Sequence, residues 1–485
     1  MKDGQVSEDV DRSERRRLGA YYTPPALVDF LVEQVLMPWM SSQSTPPRVI
    51  DPACGDGRLL EAAGRAITAR YGVDARNLLV GAELEPTVAA STAARLGCDM
   101  HLGDALALLD ARHHGQYDVV LGNPPYLSQL SSATARGRRS SFGGGPYADA
   151  AAEFLALAVR LARSEGGRVG LVLPISTLAT RDVAPIRRAV EDVASLEVCW
   201  WSERSVFDAN VRTCVLGWVI GRRERTVRRF VGVPPQPVPS VEAPERSSSW
   251  SWLLADALGI PPLPLLDTGG TLADIARATA DFRDQYYGLV GYVSDESSGP
   301  PLITSGLIDP GRCTWGSTPT SFAKQRFTAP RVDVDRLASV LQTWSHQRLV
   351  PKVLVASQTR VIESVTDEAG AWLPSVPVIS VLPNLPDGLW HTAAVLSSPI
   401  ASAVIAHQRV GSGMSTRSLR ITAADLNALP LPADRAAWDR AATLLQRGDI
   451  DAAAVAMMSA YGCATDRSVL EWWRSNAQRR TRRTV

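Results

Sequence analysis

The tetrapeptide Asn123-Pro124-Pro125-Tyr126 follows an apolar segment, residues 117–121, and contains groups that can activate a planar amino nitrogen. Two consecutive prolines form a rigid loop without backbone N–H donors, so its carbonyl groups point in fixed directions. If the side-chain oxygen of Asn123 and the carbonyl oxygen of Pro124 each accept one N–H, charge developing on the nitrogen is stabilised. Tyr126 can stack on a base held outside a duplex. The alternative is an ordinary tight turn with a buried tyrosine.

A second group of residues lies earlier, where the apolar run 48–51 breaks into a glycine-containing turn at Gly55. Glycine lets the backbone approach a ligand closely, and the carboxyl edge of such a strand is where α/β sheets bind nucleotides. Glu83 ends the next predicted strand and is suited to accept hydrogen bonds from a ribose diol. Asp104 offers an acceptor for the exocyclic amine of an adenine. Both carboxylates also fit the role of helix caps in another nucleotide-binding fold, so this half of the site alone leaves a dinucleotide ligand open.

A sheet must position these residues. From Gly19 to Gly221, short apolar runs alternate with helical patterns, as expected of a parallel sheet with crossover helices. The predicted strands are 48–51, 78–83, 117–121, 168–173, 196–200 and 213–220. The pattern therefore predicts a doubly wound α/β domain.

The rest of the chain has a different composition. Proline-rich and serine-rich stretches, 233–240 and 246–250, predict a linker. A mixed α/β region follows, with predicted strands at 352–356 and 376–382 and one helix at 391–407. Helices are predicted at 449–461 and 468–477. We therefore expect a flexible arm at 1–18, an α/β domain at 19–225, a linker or loop-rich boundary at 226–271, a mixed α/β domain at 272–432 and a helical tail at 433–485.

The motifs and their order resemble the γ-type amino-methyltransferases of bacterial restriction–modification systems. The resemblance covers residues 19–221 strongly and the remainder loosely. It implies a Rossmann-like domain that uses S-adenosylmethionine (SAM), followed by a mixed α/β target-recognition domain that binds duplex DNA. It also implies that the methyl acceptor is N6 of a flipped-out adenine, in a restriction–modification or related phage-defence system.

The family's motifs match this sequence residue by residue. An element that covers the methionine end of SAM matches residues 22–25, and the Asp-Pro-Ala-Cys-Gly motif matches residues 51–55. The family's ribose-binding carboxylate matches Glu83, with Glu85 as the weaker candidate, and its adenine-binding aspartate matches Asp104. The resemblance thus implies as cofactor-binding residues Tyr22, Thr23, Asp51, Ala53, Gly55, Glu83, Asp104 and Asn123.

On the substrate side, the family places a phenylalanine edge-on against the flipped base, and Phe207 is the match. Its alternative is a plain core phenylalanine. The spacer 128–146, with Arg136, Arg138 and Arg139, is a candidate mobile loop that touches DNA phosphate, and the alternative is a solvated loop with no role. Further candidates for DNA contact lie in the second half of the chain and are Lys324, Arg326, Lys352, Gln358, Arg360, Arg409, Arg417 and Arg420.

Composition limits the class of protein. The six cysteines form no CxxC pair, which argues for a reducing compartment and against a zinc site or disulfides. No run reaches the roughly 18 apolar residues that span a membrane, and the N-terminus has no apolar signal region, so we expect a cytoplasmic protein. Lysine occurs only at positions 2, 324 and 352, so nearly all cationic charge is arginine. Arginine suits phosphate and guanine contacts, although a GC-rich genome gives the same bias.

None of the three lysines has an acidic residue two positions earlier, the pattern of a common metal-dependent restriction nuclease. We therefore expect no metal, and any restriction or defence partner is a separate protein. Four alternatives remain: methylation of RNA adenine, of protein glutamine or of the cytosine amino group, or a DNA-binding specificity protein with a vestigial catalytic domain.

Overall fold

The computed structural model describes residues 23–126, 142–145, 148–207, 212–222, 224–245, 249–281, 283–413 and 418–477. The chain divides into two compact units, unit 1 at Met1–Leu253 and unit 2 at Leu254–Val485.

Unit 1 is built on one mixed sheet. Its strands are β1 Val49–Asp51, β2 Leu79–Glu83, β3 Asp99–Leu102, β4 Val119–Gly122, β5 Arg168–Pro174, β6 Ala194–Trp201, β7 Thr213–Ile220, β8 Thr226–Val231 and β9 Gln236–Glu242. Their order is β3-β2-β1-β4-β5-β7-β6-β8-β9. Strands β1 to β5 pair in parallel, and β7 lies antiparallel between β5 and β6. All six predicted strands are present, and the prediction of a doubly wound α/β domain is confirmed.

Helices cover this sheet and connect its strands. They are α1 Pro25–Leu31, α2 Met37–Ser42, α3 Arg58–Tyr71, α4 Pro86–Leu96, α5 Ala105–Leu108, α6 Ala150–Leu161 and α7 Ala184–Glu191, with a π-helical turn, Val32–Leu36, joining α1 to α2. Proline at the first position of α4 needs no N–H there, and a glycine with positive φ follows the last residue of both α3 and α4. The proline marks where α4 begins after the carboxyl end of β2, and the glycines mark where α3 and α4 end before the next strand.

The predicted linker at 226–271 is wrong for residues 226–242, which form β8 and β9. Strand β9 lies at the end of the sheet order and pairs with β8. Proline lacks the N–H that a central strand must donate, but an edge strand tolerates it. Pro237 and Pro239 therefore fit an edge strand, although proline-rich sequence is also typical of a linker.

Unit 2 contains many short strands and several helices. The strands are β10 Thr268–Thr271, β11 Ala276–Ala280, β12 Val293–Ser294, β13 Leu302–Ile303, β14 Ile308–Asp309, β15 Arg312–Cys313, β16 Thr320–Phe322, β17 Gln325–Phe327, β18 Arg331–Val332, β19 Lys352–Val355, β20 Gln358–Thr359, β21 Ser364–Asp367, β22 Leu373–Pro374, β23 Ile379–Pro383, β24 Leu419–Arg420 and β25 Pro430–Pro432. The helices are α8 Arg283–Gly288, α9 Ser339–Arg348, α10 Leu389–Leu396, α11 Pro399–Arg409, α12 Ala423–Asn427, α13 Arg435–Gln446, α14 Ile450–Ala460 and α15 Arg467–Ala477. The largest sheet has the order β11-β23-β19-β21.

The single helix predicted at 391–407 is two helices, α10 and α11. The break falls at Ser398, whose hydroxyl accepts hydrogen bonds from the backbone N–H groups of Ile400 and Ala401 at 3.1 and 3.3 Å. Pro399 occupies the first position of α11. A serine cap followed by proline starts a new helix, and the apolar pattern on both sides conceals this break.

The predicted helical tail belongs to unit 2. Trp438 of α13 donates its indole N–H to the carbonyl oxygen of His391 at 3.0 Å, and the Tyr461 hydroxyl donates to the carbonyl oxygen of Pro430 at 2.6 Å. Helices α13 to α15 are therefore part of the same packed unit.

Within the described residues, no single helix has both the length and the apolar composition of a membrane span. Taken together, the helices Pro386–Leu396 and Pro399–Arg409 reach those criteria, but the pair is bent by 60°. The described residues also contain no group of three or more His, Cys, Asp or Glu side chains that is arranged to hold a metal ion.

Candidate active site

The turn after β1 needs glycine at two positions. Gly55 and Gly57 have φ of 53° and 74°, in the left-handed region that side chains with a Cβ disfavour. A Cβ on Gly57 would lie 2.7 Å from Thr92 and 2.8 Å from Leu96, so this glycine lets α4 pack against the turn. A Cβ on Gly55 would meet no atom within 4 Å. The backbone at Gly55 therefore borders open space that a ligand can occupy.

Asp51 ends β1 below this space. Its side chain is 2% exposed, and its Oδ1 accepts a hydrogen bond from the Ala53 N–H at 3.0 Å. Burial raises the pKa of Asp51 to about 7; the Ala53 N–H opposes the shift, and the charges of Glu83 and Asp56 add to it. A positively charged group placed beside Asp51 would favour its ionised form.

Glu83 links the end of β2 to the glycine turn. Its Oε2 accepts from the Gly55 N–H at 3.0 Å, and its Oε1 accepts from the Glu85 N–H at 2.9 Å. Carboxylate oxygens have further lone pairs, so this anchored side chain can still accept hydrogen bonds from a ribose diol. Asp104 caps α5 through a 3.0 Å bond from the Leu106 N–H, and its side chain is exposed. Asp104 therefore has the cap role that the sequence left open, and its ligand role stays a prediction.

The Asn123-Pro-Pro-Tyr126 loop leaves the end of β4. The Tyr126 hydroxyl donates to Oδ1 of Asn123 at 2.6 Å. Burial raises the pKa of Tyr126 well above its ordinary value, and Cys214 and Asp149 act in the same direction, so the hydroxyl stays protonated and donates. An amide oxygen has two lone pairs, and the Tyr126 hydroxyl occupies one of the two acceptor positions of Oδ1. The sequence predicts stacking for Tyr126, but its pattern gives no signal of this hydrogen bond.

The cofactor half and the catalytic half lie side by side. Strand β4 pairs in parallel with β1, so their carboxyl ends share one edge of the sheet. A Cβ on Gly122 would lie 3.4 Å from Oδ1 of Asp51, so Asn123 starts next to the glycine turn. The structure thus brings together residues that are far apart in the chain.

Phe207 lies close to the catalytic loop. Its ring meets the Tyr126 ring edge-on, with centroids 6.1 Å apart and planes at 82°. Phe207 is 8% exposed and belongs to the apolar core of unit 1, so both its base-contacting role and its core role fit this position.

Asp149, which caps α6, was not found from the sequence. Burial raises its pKa to about 6, and its charge acts on Tyr126.

Some predicted residues lie outside the described residues, namely Tyr22, Arg417 and the arginines of the spacer at Arg136, Arg138 and Arg139. Thr23 is 7% exposed and precedes Pro24, the N-cap residue of α1. Pro124 is buried, and Pro125 is half-buried.

Some of the candidate DNA-contacting side chains of unit 2 are exposed to solvent, and others are buried. Lys324, Arg326, Gln358 and Arg420 are exposed, and Arg360 is half-buried. The assignment of Lys352 is wrong. Its side chain is 0% exposed and its Nζ lies 2.5 Å from Oδ2 of Asp367, so it is an internal ion pair of the sheet. Arg409 also has an internal role, because its guanidinium pairs with the buried carboxylate of Asp425.

The cofactor-side residues fit SAM. An open cradle at Gly55, a carboxylate at the end of β2 and a buried Asp51 beside them offer contacts for the ribose and for a cationic methionine moiety. The exposed oxygen of Asp104 is placed one strand further along, after β3. The sheet order and this site together define a Rossmann-like methyltransferase domain.

Comparison with known proteins agrees with this class. Residues 8–228 match the model of the N-6 DNA Methylase family. The resemblance predicted from the sequence is thereby confirmed for the methyltransferase domain.

Curated relatives match over parts of their length. The chain is 31% identical over 117 residues to the Type II methyltransferase M.XamI of Xanthomonas campestris pv. amaranthicola, covering 23% of this chain and 20% of that protein. It is 26% identical over 224 residues to the Type I restriction enzyme HindI methylase subunit of Haemophilus influenzae, covering 44% of this chain and 48% of that protein. The chain thus spans less than half the length of these relatives.

A solved structure extends the likeness in fold to both units. The Type IIL restriction-modification enzyme MmeI, solved in complex with DNA, aligns with a TM-score of 0.57 at 13% identity, covering 96% of this chain and 80% of that chain. At this identity the likeness concerns the fold alone.

Proposed function

We propose that this protein transfers a methyl group from SAM to N6 of a flipped-out adenine in duplex DNA. The observation that carries the proposal is the hydrogen bond from the Tyr126 hydroxyl to Asn123 Oδ1, on a loop that starts at Gly122 beside Asp51. The family of residues 8–228 supports the same chemistry.

The chain's own residues supply orientation and charge stabilisation. Asn123 Oδ1 and the Pro124 carbonyl oxygen each accept one N–H of the adenine amino group, which directs the nitrogen lone pair toward the cofactor. SAM supplies an electrophilic methyl group on a positively charged sulfur. Positive charge that develops on the nitrogen is stabilised by the same two oxygens. A proton then leaves the methylated nitrogen for solvent, so Asn123 need not act as a base.

Tyr126 and Phe207 form the side of the pocket that receives the base. Stacking on an aromatic ring offsets the cost of extruding a base from the duplex. The edge-on contact between the two rings helps to hold Tyr126 in place.

We propose that unit 2 recognises the target sequence, with residues 272–432 as its core and helices α13 to α15 packed on it. A methyltransferase that modifies defined sites needs contacts to several base pairs, and a large second unit supplies the surface. The HindI relative is a methylase subunit of a restriction enzyme, which supports a separate restriction or defence protein as partner. Since the proposed substrate is cellular DNA, the proposed location is the cytoplasm.

The test supplies labelled SAM with unmethylated duplex DNA, total RNA or protein extract, followed by digestion and identification of the labelled product. The proposal predicts label in DNA as N6-methyladenine. Label in RNA or protein alone supports the alternative acceptors. Label in N4-methylcytosine contradicts the choice of base. DNA binding without any label, while SAM still binds, supports a specificity protein with a vestigial catalytic domain. Asn123→Ala is the control and should bind SAM without transferring the methyl group.

A further inference from the structure

The hairpin of β16 and β17 closes with an unusual turn. Its two-residue loop is Ala323 and Lys324, with φ of 48° and 65°, and these are the non-glycine residues of positive φ in the described part of the chain. Two-residue loops with positive φ at both positions usually contain Asn-Gly or a similar pair, because a Cβ is disfavoured there. Backbone strain of this kind concentrates at functional segments.

One face of the hairpin is anchored within unit 2. Phe322 is 3% exposed, and its ring centroid lies 4.8 Å from that of Tyr286. The Tyr286 hydroxyl accepts a hydrogen bond from the Ala323 N–H at 3.1 Å. The hydroxyl groups of Thr320 and Thr304 are 2.6 Å apart. These contacts hold the turn in its left-handed conformation without glycine.

The opposite face is polar. Ser321 and Arg326 are directly paired across the hairpin, so their side chains share one face, and both are exposed. Lys324 at the tip is exposed as well. Among the ion pairs of the described residues, none links Lys324 or Arg326 to a carboxylate. The hairpin therefore presents two positive charges without an internal counter-charge.

Two exposed cations without a carboxylate partner among the described residues indicate an anionic ligand. A two-stranded β-ribbon fits the major groove of duplex DNA, and lysine and arginine side chains bind phosphate at its rim. We propose that the β16–β17 hairpin is a DNA-contacting ribbon of unit 2, in which Lys324 and Arg326 bind backbone phosphates. This inference rests on the proposed function, because it takes duplex DNA as the substrate.

The strain at Lys324 provides the test. Lys324→Gly removes the charge and also relieves the left-handed strain, so a purely structural residue would gain from the change. Lys324→Gln removes the charge and keeps the strain. Ala323→Gly relieves strain without changing charge, and Arg440→Gln removes one exposed charge from α13. The last two variants are the matched controls.

The experiment measures binding of a fluorescein-labelled duplex of random sequence to the full chain by anisotropy over a range of salt concentrations. Lys324→Gly, Lys324→Gln and Arg326→Gln should each weaken binding roughly fivefold at low salt and reduce the salt slope by about one. Lys324→Gly should keep or raise the melting temperature. Ala323→Gly and Arg440→Gln should bind as wild type does.

Wild-type affinity and slope in Lys324→Gly and Arg326→Gln would overturn the proposal. An equal loss of affinity in Ala323→Gly or Arg440→Gln would also overturn it. The proposed function is tested separately by methyl transfer. If the wild-type protein binds the duplex through this hairpin but transfers no methyl group to DNA, the proposed function fails and the hairpin's role stands.

Discussion

Replacing Tyr126 with phenylalanine separates the contribution of the hydroxyl to catalysis from that of the aromatic ring. The substitution removes the donor of the 2.6 Å hydrogen bond to Asn123 and keeps the aromatic face that stacks on the base. A neutral hydrogen bond contributes about 0.5–1.5 kcal/mol. If this bond orients Asn123 in the transition state, its loss lowers kcat roughly twofold to tenfold, since about 1.4 kcal/mol corresponds to a factor of ten.

Tyr126→Ala removes the ring as well. Stacking of a base on an aromatic ring contributes about 1–3 kcal/mol, so this variant should lose roughly another fivefold to hundredfold. Steady-state methyl transfer gives kcat and KM, and 2-aminopurine fluorescence at the target adenine reports base flipping. Tyr126→Phe should lower kcat and leave the flipping signal unchanged, whereas Tyr126→Ala should lower both.

Tyr71→Phe is the matched control. The Tyr71 O–H, also in unit 1, is shared between the carbonyl oxygens of Met40 and Gln43, so this variant should change stability slightly and leave kcat unchanged. Wild-type kcat in Tyr126→Phe would refute the reasoning, because Asn123 would then hold its orientation without the hydroxyl.

Three further predictions concern the site and the fold. The pKa of Asp51 is raised by burial to about 7, above the ordinary value of 3.8, so between those values the folded protein holds a proton that the unfolded chain has released. The free energy of unfolding should therefore fall as pH rises through this window, by up to about 1.4 kcal/mol per pH unit. In urea titrations at a series of pH values, Asp51→Asn should flatten this dependence of unfolding free energy on pH. Equal pH dependence in the variant and the wild-type protein would contradict the raised pKa. Gly57→Ala should lower stability by about 1–3 kcal/mol in thermal unfolding, because the new Cβ meets Thr92 and Leu96. Gly55→Ala places its Cβ in the open space proposed for SAM, so it should mainly weaken SAM binding in calorimetry. The reverse pattern would show that the pocket is misplaced. Lys352→Met should cost about 3–5 kcal/mol of stability, because it leaves Asp367 without its buried partner. The folded variant should bind DNA as the wild-type protein does. Reduced DNA affinity with full stability would show that Lys352 is a DNA contact after all.

Strands β1, β2, β4 and β5 could be predicted from sequence because they are buried on both faces and appear as short apolar runs, whereas β3 is mostly exposed and polar and was not predicted. The burial of Val49–Asp51 and Val119–Gly122 shows this directly. The edge strand Gln236–Glu242 has the opposite character, since it is mostly exposed and contains prolines, so the same rule assigns it to a linker.

The candidate site could be predicted in part. The order of the glycine turn, Glu83 and the Asn123 loop follows from the chain, and parallel pairing brings their ends to one edge. Contacts that depend on side-chain direction could not be predicted, such as the hydroxyl of Tyr126 on Asn123 or the charge of Asp149 nearby. The burial of Lys352 depends on the register between β19 and β21, which places it opposite Asp367. An isolated lysine in the sequence carries no information about that partner.

Sequencing that detects methylated bases, applied to genomic DNA from cells expressing this protein, tests the central claim most directly. We predict N6-methyladenine at nearly every copy of one short sequence in cells with the wild-type protein, and none at that sequence in cells with Asn123→Ala. Unmodified adenine at all sequences, or methylation that persists in Asn123→Ala, would contradict that claim.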